Sequence, residues 1–90
     1  MNNYEKLKEI EQLGIIRIIY ILKKEGPMLT SKIQEKLNIS NDAYYKARNK
    51  LIDLKIIKRD MNNYGTISPF YLTEKGIKIA EELEKLIEIL

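Results

Sequence analysis

The residues best suited to chemistry in this chain of 90 residues are polar side chains between positions 41 and 53. On a helix that turns about 100° per residue, these side chains share one side, with Tyr45 at its edge. The members of this polar side are Asp42, Lys46, Asn49, Lys50 and Asp53. Such a face is either an ordinary solvated surface or a surface that hydrogen-bonds a ligand, and the neighbouring elements decide between these two interpretations.

Catalysis lacks the residue types that it usually needs. The sequence contains no histidine and no cysteine, which removes thiol chemistry, disulfides, Cys/His metal sites and the commonest general base. No glycine-rich phosphate loop is present, and the acids Glu81, Glu82, Glu84 and Glu88 are better explained as a solvated helix face. We therefore expect no catalytic residue, no metal site, no cofactor and no enzyme activity.

Residues 29–57 predict two short helices that are joined by a tight turn. Thr30 or Ser31 can cap the first helix, and Gln34 stands three residues after Ser31, which is the spacing of a capping box. Ile33 and Leu37 then fall on one apolar face. The spacing of these residues predicts a first helix that packs on a core and ends near position 38.

The turn and the second helix follow directly. Asn38 tolerates the left-handed conformation of a turn, and Ser40 or Asn41 can cap the next helix. Four apolar residues of that helix fall within an arc of about 80°. They are Tyr44, Ala47, Leu51 and Leu54. Two helices of this length with a turn of three or four residues match the unit that lays its second helix in the DNA major groove, so the polar face becomes a candidate base-contacting surface.

The segment before this unit is predicted to be helical from about residue 4 to residue 24. Gly14 interrupts the pattern, so either one bent helix or two helices fit the sequence. Gly26 and Pro27 end the segment, because proline removes a backbone donor and disfavours helical geometry in the preceding residue. The pair Met28-Leu29 could then form a short edge strand.

After residue 54 the pattern changes from helical to extended. Residues 56–61 and 67–72 predict two strands, with a turn at 62–65 whose Asn and Gly residues tolerate positive φ. Pro69 restricts the second strand to an edge or to a strand start. Thr73 is predicted to cap a final helix, and Glu74 lies in its first turn.

The charge is distributed unevenly along the chain. The total is +3, but residues 1–29 carry +1, residues 30–66 carry +4 and residues 67–90 carry −2. The positive excess therefore falls on the predicted helix-turn-helix and hairpin, where phosphates would lie. No apolar run approaches the length of a membrane span, and we expect a single cytoplasmic, nucleoid-associated domain that has no membrane partner.

Three stretches of the sequence together carry a family resemblance. LTSKIQEKLNIS, LIDLKIIKRD and FYLTEKG resemble the winged helix-turn-helix transcriptional regulators, in particular the small dimeric multiple-antibiotic-resistance (MarR) and PadR-like groups and the archaeal chromatin-type winged-helix proteins. The resemblance implies a mostly α fold with a small β-hairpin (α+β) and an extended C-terminal helix. Residues 1–12 would form a helical arm, 13–72 the winged-helix core and 73–90 a dimerisation helix. Lys55 departs from the usual glycine of the family, and Arg48 stands near a position that is usually apolar.

The resemblance also implies a function: sequence-specific binding of double-stranded DNA by a transcriptional regulator. The recognition helix would span about residues 41–54 and the wing about 58–67. Base-facing candidates are Asn41, Asp42, Tyr45, Lys46 and Asn49. Candidate phosphate contacts are Lys32, Lys50, Lys58 and Arg59, with Asn62, Asn63 and Tyr64 at the wing tip.

Several alternatives remain open at this point. Asp42 is either a base contact or an acid that stabilises the helix N-terminus, and Tyr45 either contacts DNA or packs. The domain as a whole could instead bind only protein, or bind DNA without sequence specificity as a chromatin-type protein. The sequence does not identify an operator or a small-molecule effector.

The last helix carries a heptad-like apolar stripe that predicts a homodimer. Its members are Ile79, Leu83, Leu86 and Leu90, widened by Ala80 and Ile87. We expect the helix to extend past the body of the domain beyond Leu83, so that the remainder packs on a second copy. Tyr4, Leu7 and Ile10 of the arm would pack on the last helix of the partner. The alternative is that the stripe packs wholly against the first core helix of its own chain.

Overall fold

The computed structural model describes residues 1–60 and 68–90, and in them it contains five helices and a two-stranded antiparallel sheet. The elements are α1 (Asn3–Glu11), α2 (Ile15–Glu25), α3 (Thr30–Leu37), α4 (Asn41–Asp53), β1 (Ile57–Arg59), β2 (Phe70–Leu72) and α5 (Glu74–Ile89). The predicted class, mostly α with a small sheet and a long C-terminal helix, is confirmed.

The N-terminal segment forms two helices rather than one bent helix. Gly14 separates them in the left-handed conformation, with φ 95°. A side chain at this position would also press against Ile39 and Ala47, because an added Cβ would lie 3.1 Å and 3.2 Å from their side chains. Glycine therefore permits the turn between α1, which has no buried residue, and α2, which lies in the core.

The core lies between α2, α3, α4 and the sheet. Its central helix is α2, which buries four residues, Ile15, Ile18, Ile19 and Leu22. The other buried apolar residues are Ile33, Leu37, Tyr44, Ala47, Leu51, Ile56, Ile57, Phe70 and Ala80. Because these residues come from every element except α1, the packing of the core fixes α4 relative to the sheet.

The predicted cap of the first helix of the helix-turn-helix is wrong. Leu29 occupies the N-cap position of α3 and makes no side-chain cap hydrogen bond. The Thr30 hydroxyl instead lies 3.3 Å from the hydroxyl of Tyr44, and the Gln34 amide donates to Asn41 Oδ1 at 2.8 Å. The side chains of Thr30 and Gln34 do not cap α3 because both contact residues of α4 instead.

The turn signals between the two helices of the helix-turn-helix are confirmed. Asn38 ends α3 in the left-handed conformation with φ 54°, and Ser40 caps α4 by accepting a hydrogen bond from the Ala43 amide at 3.1 Å. Helix α4 then ends at Asp53, one residue before the predicted limit. Lys55, which stands at the expected glycine position, adopts φ 60°.

The two strands are shorter than the extended pattern predicted. Ile57 pairs with Leu72, Lys58 with Tyr71 and Arg59 with Phe70. Met28 forms an isolated bridge to the other edge of Phe70, so the expected edge strand is reduced to one bridging residue. The predicted turn at 62–65 lies outside the described residues.

Helix α5 begins as predicted, with Thr73 as its N-cap. The Thr73 hydroxyl accepts from the Gly76 amide at 3.1 Å and donates to the Lys55 carbonyl at 2.6 Å. Gly76 is buried against the carbonyl of Ile56, where an added Cβ would overlap the carbonyl oxygen. The first turn of α5 is therefore locked onto the segment that connects α4 to β1.

Candidate nucleic-acid interface

Helix α4 buries one face and exposes the other. Tyr44, Ala47 and Leu51 are fully buried, as the apolar stripe predicted. All five residues that the sequence analysis assigned to the base-facing set are exposed on the opposite side: Asn41, Asp42, Tyr45, Lys46 and Asn49. The helix thus presents a continuous polar surface, and its buried face holds it against the core.

A buried hydroxyl pair helps to hold α4 against α3. Tyr44 has no exposed surface, and its hydroxyl contacts Thr30 Oγ1 at 3.3 Å. Burial raises the pKa of the Tyr44 phenol, and the hydrogen bond to Thr30 opposes that shift only in part. The neutral phenol is therefore the form that the folded protein favours.

The first turn of α4 is organised by two side-chain contacts. The side-chain amide of Gln34 on α3 donates to Asn41 Oδ1, which leaves the side-chain NH2 group of Asn41 available to another partner. Asp42 pairs with Lys46 one turn later at 3.2 Å, and both side chains are largely exposed. An exposed pair at this spacing contributes little to stability, so it does not prevent either side chain from taking another partner.

Tyr45 packs within its own helix. Its ring lies edge-on to the ring of Tyr44, with centroids 5.2 Å apart, and the guanidinium of Arg48 lies 4.7 Å from its centroid. The Tyr45 side chain remains 41% exposed, so its packing and a contact with DNA are compatible.

Arg48 is the residue of this surface that the sequence analysis did not select. Its guanidinium lies over the ring of Phe70 at 5.6 Å as well as over Tyr45, and its Nη2 donates to Asn49 Oδ1 at 3.3 Å. The only signal in the sequence was an arginine near a position that is usually apolar. In the structure, that position lies at the flank of α4 that faces the sheet.

The candidate phosphate contacts fall into two groups. Lys32 pairs with Glu35 at 3.7 Å, and Lys50 pairs with Glu9 of α1 at 2.5 Å. The Lys50 pair is the more enclosed of the two, with side-chain exposures of 34% for Lys50 and 24% for Glu9. Lys50 therefore ties α4 to α1, and its side chain is already neutralised in the free protein.

Lys58 and Arg59 form the second group and lie along β1, exposed to solvent. The guanidinium of Arg59 lies 4.9 Å from the ring centroid of Phe70. The wing-tip candidates Asn62, Asn63 and Tyr64 lie outside the described residues.

The apolar stripe of α5 is covered at its start and open at its end. Ile79 and Leu83 pack against the core, whereas Leu86, Ile87 and Leu90 are exposed. A groove of about 470 Å³ between α2 and α5 continues this apolar surface. The alternative that the stripe packs wholly on its own chain is therefore wrong. In α1, Tyr4 and Leu7 are 79% and 49% exposed, and no residue of that helix is buried.

Neither a candidate metal site nor a helix that could span a membrane is present in residues 1–60 and 68–90. Those residues contain no group of three or more His, Cys, Asp or Glu side chains that could hold a metal ion. The helices of the same ranges also include none with the length and hydropathy that a membrane span requires.

The fold is similar to that of known transcription regulators. No family model and no curated protein matches the sequence. Among solved structures, ZitR, a zinc-responsive MarR family member from Lactococcus lactis, is 34% identical with a TM-score of 0.69, and the match covers 81% of this chain and 51% of ZitR. A MarR transcriptional regulator from Methanosarcina mazei Go1 is 25% identical with a TM-score of 0.70, over 90% of this chain and 57% of that chain.

The reduced form of the transcriptional regulator YodB from Bacillus subtilis has a TM-score of 0.80 over 98% of this chain and 89% of its own, at 20% identity, and therefore supports the fold alone. The match covers about half the length of two of the ZitR chains. These neighbours are transcription regulators and not enzymes. They confirm the predicted resemblance to the winged-helix regulators of the multiple-antibiotic-resistance group.

Proposed function

We propose, starting from the winged-helix fold that this chain shares with MarR-type regulators, that it is a sequence-specific transcriptional regulator that binds double-stranded DNA. The observation that carries the proposal is the two-faced construction of α4. Its inner face is fixed by buried Tyr44, Ala47 and Leu51, and its outer face offers amide, hydroxyl and ammonium groups to a ligand. A rigid helix with that surface suits base contacts in the major groove.

Asn49 and Lys46 are the principal proposed base contacts. Asn49 is exposed in the centre of the outer face, and Arg48 donates to its Oδ1, which restricts the orientation of the amide. An oriented asparagine amide can pair with the N6 and N7 positions of adenine, and a lysine can reach the acceptors of guanine. Asn41, Asp42 and Tyr45 would complete the surface, with Asp42 also stabilising the N-terminus of α4 through its charge.

Lys32, Lys58 and Arg59 are the proposed phosphate contacts, together with the wing-tip residues of the sequence analysis. Lys58 and Arg59 project from a strand that packs beside α4, so a duplex in contact with α4 would bring phosphates near them. Lys50 is the weakest member of the predicted set, since a phosphate would have to displace the carboxylate of Glu9.

We also propose that the protein is a homodimer. The exposed end of the α5 stripe and the exposed apolar residues of α1 lie at the two ends of the chain, and both lack an intramolecular partner that covers them within the described residues. Packing α5 of each copy against the other, with Tyr4 and Leu7 on the α5 of the partner, would remove this surface from water. A two-fold dimer would present two copies of α4 to half-sites about one helical turn apart or a multiple of it.

The zinc response of ZitR is not proposed for this protein. Zinc sites in proteins are built mainly from cysteine and histidine ligands, and this sequence has neither.

Titration of labelled duplex DNA over a range of salt concentrations tests the proposal. Each neutralised phosphate contributes a slope of about −0.9 to log K against log salt, so a dimer should give a slope of several units. Selection of bound sequences from a random duplex pool would then supply a preferred site.

Two variants separate base contacts from phosphate contacts on that site. Asn49→Ala should weaken the preferred site relative to random DNA by about 1–3 kcal/mol, because a good base contact discriminates to that extent. Arg59→Ala should weaken both DNAs alike. Equal losses for Asn49→Ala on both DNAs would instead support a nonspecific chromatin-type binder, and no binding at low salt would favour a protein-binding domain.

A further inference from the structure

A groove separates the side of α4 from the two strands. It has a volume of about 800 Å³ and is open to solvent. Four segments contribute to its walls: α4, the short connection that follows it, β1 and β2. The lining includes Arg48, Ile52, Lys55, Lys58, Arg59 and Tyr71. The groove therefore combines four cations with apolar and aromatic surface.

The cations of this groove differ from the paired lysines of α3 and α4. Lys32, Lys36, Lys46 and Lys50 each lie within 4 Å of a carboxylate. In contrast, the four groove cations make no ion pair within residues 1–60 and 68–90. One carboxylate, that of Asp60, lies at the groove and has an interaction of its own. The groove consequently keeps an excess of positive charge that suits an anionic ligand.

Arg48 is held in place by aromatic rings rather than by a carboxylate. Its guanidinium lies over Tyr45 at 4.7 Å and over Phe70 at 5.6 Å, and Arg59 approaches the same Phe70 ring at 4.9 Å. Two guanidinium groups that share one buried ring are attracted to it but repel each other. An anion between them would relieve that repulsion.

The hydrogen-bonding capacity of Arg48 is also incompletely used. A guanidinium has five N–H donors. Among the described residues, Nη2 donates to Asn49 Oδ1, and the group also interacts with the Tyr44 hydroxyl. The Nε atom is buried without a hydrogen-bond partner among the described residues. Such an unsatisfied donor is costly unless a ligand or water completes the site.

We propose that this groove binds the phosphodiester backbone of duplex DNA and that Arg48 contacts one phosphate in it. The inference rests on the proposed function, since it names the part of the DNA that lies between α4 and the sheet. Arg48 would donate through its Nη groups to a phosphate oxygen, flanked by Lys58 and Arg59. Ile52, which is 41% exposed, and Tyr71 would pack against the deoxyribose on either side.

The proposed contact would serve two tasks at once. Arg48 donates to the proposed base contact Asn49 while its ring contacts attach it to the sheet through Phe70. A phosphate bound by Arg48 would thereby fix the register of α4 in the major groove. Phosphate contacts commonly have this positioning role in protein–DNA complexes.

The experiment compares Arg48→Gln with Arg48→Lys and with the control Lys24→Gln. Lys24 is a matched control because it also rests over an aromatic ring, that of Tyr20, at 5.8 Å, but lies on α2 outside the groove. We expect Arg48→Gln to weaken binding to a selected duplex about tenfold and to reduce the salt slope by about 0.9 per protomer. Lys24→Gln should change neither, and Arg48→Lys should restore the slope but not the full affinity.

Replacing single phosphates of the duplex with neutral methylphosphonates identifies the contact directly. For the wild type, neutralising the phosphate that Arg48 contacts should weaken binding. For Arg48→Gln, that one position should lose its effect while the others keep theirs. Melting curves of the free proteins show whether the variants are folded.

Three results would overturn the inference. Identical methylphosphonate profiles for wild type and Arg48→Gln would show that Arg48 acts only by holding the sheet. An unchanged salt slope in Arg48→Gln would show that no phosphate is neutralised there. A wild type that binds no duplex at all would overturn the proposed function together with this inference, whereas the first two results leave the proposed function intact.

Discussion

Replacing Gly76 with alanine should destabilise this protein, although alanine is the better helix former. In an exposed helix the substitution would gain about 1 kcal/mol. Here the new Cβ would overlap the carbonyl oxygen of Ile56 and lie 3.0 Å from Leu72 Cδ2. The overlap involves backbone, so no flexible side chain can turn away to relieve it.

The size of this destabilisation depends on which groups must move to make room for the new Cβ. The Ile56 carbonyl accepts a hydrogen bond from the Thr73 amide at 3.0 Å, so shifting α5 away from it also strains the N-cap of that helix. Overpacking costs about 1–3 kcal/mol, and loss of one such hydrogen bond costs about 0.5–1.5 kcal/mol. After subtracting the gain in helix propensity, we expect a net loss of about 2 kcal/mol, or roughly 8–16 °C in Tm for a domain of this size.

Thermal and urea unfolding followed by circular dichroism measure this effect. Wild type and variant should be compared at one protomer concentration, since association contributes to apparent stability. Lys78→Ala is the matched control, because Lys78 is exposed on the same helix and its replacement should change stability by no more than about 0.5 kcal/mol. A Gly76→Ala protein as stable as the wild type would refute the close approach of α5 to Ile56.

Three further predictions concern other positions. Lys55→Gly should stabilise the protein by up to about 1 kcal/mol in urea unfolding. Glycine removes the left-handed strain at φ 60°, and this gain exceeds the extra backbone entropy that glycine loses on folding. A loss of stability would contradict this. Leu86→Glu should convert the proposed dimer to a monomer in sedimentation equilibrium, because it places a charge on the exposed end of the α5 stripe. A variant that remains dimeric would mean that the interface lies elsewhere. Burial raises the pKa of Tyr44 in the folded state, so the unfolded chain loses this proton at a lower pH than the folded protein does. The stability that the neutral Tyr44 contributes is therefore complete below about pH 10 and is lost as the pH rises further. Tyr44→Phe should therefore lose less stability than the wild type between pH 7 and pH 10.8, and an equal loss in both proteins would exclude Tyr44 as the source.

The local signals in the sequence were sufficient for much of the fold. Asn38, Ser40 and Thr73 each act through backbone groups within a few residues, and the structure has all three in the expected roles. The apolar stripe of α4 was equally reliable, because a buried face imposes its period on the sequence regardless of which element covers it.

The errors and omissions share one physical cause, which is contact between elements distant in the chain. The hydroxyl of Thr30 was expected to cap α3, but it contacts Tyr44, 14 residues away. The sequence marks Arg48 only as unusual, because its ring partner Phe70 lies on a strand whose position relative to α4 is set by the core. The pairing of Lys50 with Glu9 likewise depends on how Gly14 directs α1 back toward α4.

The bridge between Met28 and Phe70 has a consequence for aggregation. It occupies the outer edge of β2 at Phe70, whereas the outer edge of β1 has no strand partner within the described residues. Exposed strand edges recruit strands from other molecules unless they are short or charged. β1 is three residues long and places Lys58 and Arg59 beside that edge, so charge repulsion between copies opposes edge-to-edge association. The same two cations that are proposed to contact DNA would thus also keep the free protein from polymerising through its sheet.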